Sequence, residues 1–134
     1  MLNGPRQFKH KKVKKGKLSE LEFKSNSIKF GEIGLKAAES GFIKYKQIEA
    51  ARQAIVRKIK RKGKVWIRIF PDLPITSKPT GTRMGKGKGA ISHWSAKVRG
   101  GSILFEICGI NNLTLINALK SGGAKLPIKT KIFS

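Results

Sequence analysis

Apolar and polar positions change period several times along the chain, and each change marks an element. From residue 46 to 62, Ile48, Ala51, Ile55, Val56 and Ile59 recur at helical spacing, forming one apolar stripe on a helix enriched in alanine. Gly63 stands where a C-terminal stop belongs. Lys64 to Phe70 then alternates Val65, Ile67 and Ile69 against Trp66, Arg68 and Phe70, which predicts a strand with a core face and a second face of aromatics around an arginine. The prolines of Pro71-Asp72-Leu73-Pro74 end it, and residues 75–90 read as a Gly/Pro/Thr loop. Upstream, Ile28, Phe30 and Leu35 predict a strand over 27–37 with a glycine-marked irregularity. Downstream, Gly100-Gly101 predicts a hairpin turn. Its register places Val98 opposite Ile103, Ala96 opposite Phe105 and Trp94 opposite Ile107 on an apolar face. The other face carries Lys97 with Leu104, Ser95 with Glu106, and His93 with Cys108. Asn112 caps a short helix with Leu113, Ile116 and Leu119, ended by Gly122-Gly123, and residues 127–133 alternate as a last strand. Two helices among mostly hairpin-connected strands predict an α+β fold with a largely antiparallel or mixed sheet. It occupies a single domain over 27–134, behind a basic arm at 1–26.

Charge changes the picture from a fold to a binding problem. Thirty Lys and Arg stand against seven Asp and Glu, a net +23 over 134 residues. Such a chain repels itself and calls for a polyanion. The excess falls in blocks. The arm holds Arg6, Lys9, Lys11, Lys12, Lys14, Lys15 and Lys17 with no acid; the end of the first helix holds Arg57, Lys58, Lys60, Arg61, Lys62 and Lys64; the loop holds Lys78, Arg83, Lys86 and Lys88. A helix dipole accounts for one or two cations in a last turn, not for six in eight residues. Blocks distributed this way are the footprint of nucleic acid. A membrane would require a helix with a broader apolar face than 46–62 presents. The Lys-rich start lacks the Arg and Ser of a transit peptide and reads as an arm that orders on its partner.

Several enzyme readings fail on spacing. In Arg83-Met84-Gly85-Lys86-Gly87-Lys88-Gly89 the glycines let the backbone approach a phosphate strand while the lysines supply charge. Read as a Walker A loop, it has three residues rather than four between Gly81 and Gly85, and Gly87 stands where the metal-binding hydroxyl is needed. A dinucleotide fingerprint over Gly85, Gly87 and Ala90 lacks the strand before it and the helix after it. His93 facing Cys108 is the one nucleophile–base pair on offer, without an evident oxyanion hole. A single cysteine excludes an intramolecular disulfide, and His10 and His93 have no metal-ligand spacing. One Asp and six Glu leave little for carboxylate catalysis. Trp94 belongs to the apolar hairpin face, whereas Trp66, beside Arg68, is open to stacking on a base.

Together these segments resemble a known family. The stretch from Gln47 to Gly89, QIEAARQAIVRKIKRKGKVWIRIFPDLPITSKPTGTRMGKGKG, closely resembles the bacterial-type large-subunit ribosomal protein sixteen, the universal L-sixteen family. The likeness extends to MLNGPRQFKHKKVKKG at the start, FGEIGLKA at 30–37, His93-Trp94, Leu104 to Ile107, and AKLPIKTKI near the end. Residues 18–26 and 109–115 depart from the family's pattern. The resemblance implies a non-catalytic α+β sandwich of two helices on a sheet, a structural constituent of the large ribosomal subunit. Its expected partners are large-subunit rRNA, neighbouring ribosomal proteins and tRNA near the aminoacyl site, with no cofactor, no membrane and no homo-oligomer. By the same resemblance Arg6, Lys9, Lys11, Lys12, Lys15, Lys17, Arg57, Arg61, Lys62, Lys64, Arg68 and Lys78 are expected on rRNA. Arg83 to Gly89 form the loop reaching toward the peptidyl-transferase region. A free-standing RNA chaperone is the alternative. Lysine outnumbers arginine 23 to 7, a bias of AT-rich genomes, and it points to an organelle-encoded mitochondrial ribosome, with an AT-rich bacterium or a plastid as alternatives.

Overall fold

A computed structural model of the chain describes residues 4–18, 20–109 and 111–134. In chain order its elements are β1 (Ile33–Ala37), β2 (Gly41–Lys44), α1 (Tyr45–Lys58), β3 (Lys64–Ile67), β4 (Leu73–Ser77), β5 (Ala90–Val98), β6 (Ile103–Cys108), α2 (Asn112–Gly123) and β7 (Thr130–Phe133). They build two antiparallel sheets, β3-β6-β1-β7 and β2-β5-β4, so the fold is α+β as expected and contains no parallel pair among the described residues. The helices pack on each other, α2 also against β1 and β7 and α1 against β2, β5 and β3. The core between them gathers Ile33 and Leu35 of β1, Ile43 of β2, and Leu104, Phe105 and Ile107 of β6. The helices add Ile48, Ala51 and Ile55 of α1 and Leu115 and Leu119 of α2.

The expected hairpin across Gly100-Gly101 does not form. β5 pairs with β2 and β4, whereas β6 pairs with β1 and β3. The two glycines therefore carry the chain from one sheet to the other. Gly101, at φ +98°, donates its N–H to Ala37 O at 2.8 Å, and Ser102 N–H closes back on Arg99 O at 3.1 Å. Alternation correctly marks Ala96, Val98, Phe105 and Ile107 as inward, because both strands turn an apolar face to the same core. Pairing partners, however, come from distant segments, and nothing local specifies them. A bulge opposite Leu35/Lys36 also turns Leu104 into the core. Ile103 is buried as well, but apart from that cluster, beside Ile28 over Gly34.

Other boundaries shift for identifiable reasons. α1 ends at Lys58 rather than 62. Lys60 and Arg61 turn left-handed (φ 50° and 60°), and their N–H groups close on Arg57 O and Val56 O, so that Ile59 stays buried while the chain reverses into β3. Residues 75–77, expected in a loop, belong to β4. Its Pro74 is tolerated because β4 lies at a sheet edge. The loop proper is 78–89. In the first predicted strand only 33–37 is regular, and the last strand begins at Thr130. α2 is capped by Asn111, whose Oδ1 accepts from Leu113 N–H at 3.1 Å, and it runs through both glycines expected to stop it. Leu113 is exposed, while Leu115, Ala118 and Leu119 face inward.

Gly122 marks the closest helix–helix approach. A Cβ built there would lie 2.6 Å from Ile55 Cγ1 and 2.8 Å from its Cδ1. Gly122→Val is therefore expected to destabilise the chain by about 1–3 kcal/mol, because overpacking exceeds the propensity gained on losing glycine. Urea unfolding with an unchanged m-value checks this; wild-type stability would refute it.

Candidate nucleic-acid interface

The expected cations are carried by three parts of the fold, and two of these meet. Arg6, Lys9, Lys11, Lys12, Lys15 and Lys17 are exposed on the irregular segment 4–18. That segment is seated by apolar contacts. Gly4 lies directly over the indole of buried Trp94, where any Cβ would clash, and Phe8 meets the same ring edge-on at 5.0 Å. The loop 78–89 lies within reach of the segment. Lys12 Nζ donates to Lys88 O at 2.7 Å and Lys88 Nζ donates to Val13 O at 2.8 Å, a reciprocal clasp between residues 76 and 75 positions apart. Lys78 Nζ donates to Gly85 O at 2.6 Å across the loop itself. Backbone carbonyls here do the pairing that the missing acids cannot.

Within the loop, Gly85, Lys86 and Gly87 are consecutive left-handed residues, at φ 101°, 54° and 78°. A Cβ at Gly81, Gly85 or Gly87 would meet nothing within 4 Å, so these glycines are required by backbone conformation and not by crowding. Arg83, Met84, Lys86 and Lys88 are exposed, and Gly89 is half-buried against Ser77.

The third part lies at the end of α1. Arg57, Arg61, Lys62 and Lys64 are exposed. Arg52, Arg57, Lys60 and Arg61 line a surface hollow of about 480 Å³ with Gln53 and Val56. Arg52 was not expected from sequence, because its pairing with Glu49 at 2.6 Å is a local i,i+3 contact that resembles ordinary helix-surface chemistry.

Arg68 differs from the other expected cations. Its guanidinium pairs with Glu106, whose carboxylate is fully buried in the middle of β6. Glu106 Oε2 also accepts the backbone N–H groups of Phe30 at 2.6 Å and Gly31 at 2.9 Å, with Lys29 N–H at 3.3 Å. Burial pushes the Glu106 carboxyl up, but the donors of Phe30, Gly31, Lys29 and Arg68 together hold it below the ordinary carboxylate value. Gly31 is needed for the approach, since a Cβ would come within 2.9 Å of Ile107 N and Glu106 Cβ. An isolated acid inside ILFEIC is a sequence signal for such a clamp, because a buried carboxylate must find donors somewhere.

His93 and Cys108, expected face to face, lie in different sheets. His93 pairs with Ile75 and Cys108 with Lys64, so no nucleophile–base pair forms. Burial, together with Lys44, Lys15 and Lys46, holds the His93 imidazole below its ordinary value. Among the described residues no helix is long and apolar enough to cross a membrane.

Fold and charge thus define a small basic α+β protein that presents three cationic surfaces around one apolar core. The family model described as "Ribosomal protein L16p/L10e" matches residues 5–133, and the chain belongs to that family. It is 52 % identical over 126 residues to the large ribosomal subunit protein uL16 of Borrelia recurrentis, covering 94 % of this chain and 91 % of that protein. The uL16 proteins of Borreliella afzelii and Borreliella burgdorferi are 51 % identical with the same coverage. Membership makes the chain a structural constituent of the large ribosomal subunit. It implies rRNA and ribosomal proteins as partners.

The Glu106 clamp predicts a specific pH response. Its native carboxyl titrates below the ordinary 4.5, so it contributes stability above that pH and loses it as pH falls through the lower native value. Glu106→Gln leaves the Arg68 charge unmatched and is expected to cost about 3–5 kcal/mol at neutral pH, with a shallower acid limb. Glu49, lowered by its hydrogen bond from Arg52, keeps part of that limb. Urea midpoints across the acid range check this; a variant with the wild-type profile would refute it.

Proposed function

We propose that the chain binds large-subunit rRNA chiefly through phosphate neutralisation by its three cationic surfaces. The arm–loop clasp carries this reading, because it joins two acid-poor segments some 75 residues apart into one surface. The contacts assigned to it are Arg6, Lys9, Lys11, Lys12, Lys15, Lys17 and Lys78, with Arg57, Arg61, Lys62 and Lys64 forming a second patch. Arg68, expected among them, instead supports the Glu106 clamp. The loop from Arg83 to Gly89 faces the aminoacyl-tRNA and peptidyl-transferase region, as family resemblance implies, and helps complete late subunit assembly. The segment 1–26 acts as a basic arm, and its cations are presented to RNA from the seat that Trp94 and the loop clasp provide. The chain works as a single copy and performs no catalysis.

Of the compartments that composition left open, the bacterial one is favoured over the mitochondrial, since the relatives named above are bacterial. Family membership likewise disfavours a free-standing RNA chaperone. On a sucrose gradient the chain should sediment with large subunits, and recovery mainly off ribosomes would overturn the assignment.

Replacing Arg83, Lys86 and Lys88 together by Ala should leave thermal unfolding of the free chain within about 0.5 kcal/mol, as for exposed positions without packing. The same variant should accumulate immature large subunits. The slope of log K against log salt for rRNA-fragment binding should fall by about 2–3, one phosphate contact per cation. Normal assembly with an unchanged slope would count against the loop's role.

A further inference from the structure

Phe30 is an aromatic ring held in solvent by the backbone beneath it. Its N–H is fixed to Glu106 Oε2, and the adjoining Gly31 lies against β6, yet the ring itself is 59 % exposed. It stacks on Trp66, with centroids 6.3 Å apart and planes 24° from parallel, and the Arg68 guanidinium carbon lies 5.2 Å from its centroid. Trp66 lies in β3 two residues after exposed Lys64, Arg68 follows just beyond the strand, and exposed Lys29 precedes Phe30. Arg68 is in turn locked by Glu106. The fold does not use the ring to fill its core: Phe30 is not among the core residues, and the clamp engages its backbone. A preorganised, half-bare ring with a π-face and flanking cations is chemically a stacking surface for a nucleobase.

We propose that Phe30, backed by Trp66 and Arg68, is a platform on which one unpaired base of the large-subunit rRNA stacks, while Lys29 and Lys64 take the adjoining phosphates. This rests on the rRNA-binding reading above and deepens it, adding a base contact to surfaces otherwise built for phosphate. The cationic flank favours RNA over an apolar protein partner.

Two measurements test it. In titrations of the full chain with a short single-stranded oligoadenylate, Phe30→Ala should weaken binding about ten-fold, the worth of one stacked base, without changing the salt slope. Phe30→Tyr should restore affinity, and Lys64→Ala should instead lower the slope by about 0.7, as loss of one phosphate contact does. Equal binding by the Ala and Tyr variants would overturn the platform. In ultraviolet crosslinking of assembled large subunits, a nucleotide adduct on Phe30 or Trp66 is expected. A crosslink from Phe30 to another protein would overturn the proposal in favour of a protein contact. Adducts elsewhere on the chain but none here would refute stacking while leaving rRNA binding intact, whereas no rRNA adduct anywhere would remove the underlying reading as well.

Discussion

The buried carboxylate of Glu106 is the constraint on which the rest of this structure depends. It sits at the centre of β6, which is itself central in its sheet, and a charge there is tolerable only if donors surround it. Those donors come from two directions: three consecutive backbone N–H groups of 29–31 and the guanidinium of Arg68. One acid thereby ties an irregular segment lacking helix or strand onto the outer face of the sheet and fixes the chain as it leaves β3. The segment continues upstream through Ser25, whose O accepts Ile103 N–H at 2.9 Å, and Glu22, whose N–H donates to Gly100 O at 3.0 Å. Without the carboxylate these pieces would retain hydrogen bonds at their margins but lose the charge that gathers the middle.

The remaining charge follows the opposite logic. With seven acids against thirty bases, most cations cannot be paired within the chain. The fold keeps them at the surface and lets a few donate to carbonyls, as Lys12, Lys78 and Lys88 do. Such contacts among exposed groups are weak and leave the ammonium charge uncompensated. The core that holds these surfaces in place is correspondingly strict. It is apolar on both sheets and closely approached at Gly122, because packing has to offset repulsion that a handful of ion pairs, such as Arg68–Glu106 and Arg52–Glu49, leave largely unrelieved.

Much of this was legible in the sequence. Helical spacing identified Ile48, Ala51, Ile55 and Ile59 as a buried stripe, and alternation identified the inward residues of β5 and β6. What local pattern could not supply was partnership. Gly100-Gly101 reads as a hairpin because hairpins are the commonest local solution, whereas the actual partners of β6 are β1, some seventy residues earlier, and β3. Helix ends were misplaced where tertiary demands override propensity. Ile59 had to remain buried, so the chain adopted left-handed lysine and arginine one turn before the expected glycine. Of the candidate site, the exposed cations could be read directly from composition blocks. The diversion of Arg68 could not, because it depends on a carboxylate 38 residues away.

That diversion separates two kinds of recognition. Cations on the arm, helix end and loop can each adjust to a phosphate, since they are exposed, the tips of Lys12, Lys78 and Lys88 are held only by surface carbonyls, and Gly81, Gly85 and Gly87 meet no neighbour. Arg68 is immobilised by a buried acid, Trp66 by its strand, and Phe30 by a backbone clamp. Adjustable charge suits a backbone whose phosphates recur at any position, and a rigid π-surface suits a single base whose plane must be matched. A structural protein of a ribonucleoprotein has use for both. Exposed charge can gather RNA strands regardless of sequence, and on the platform proposed above the rigid ring fixes the register in which one of them lies.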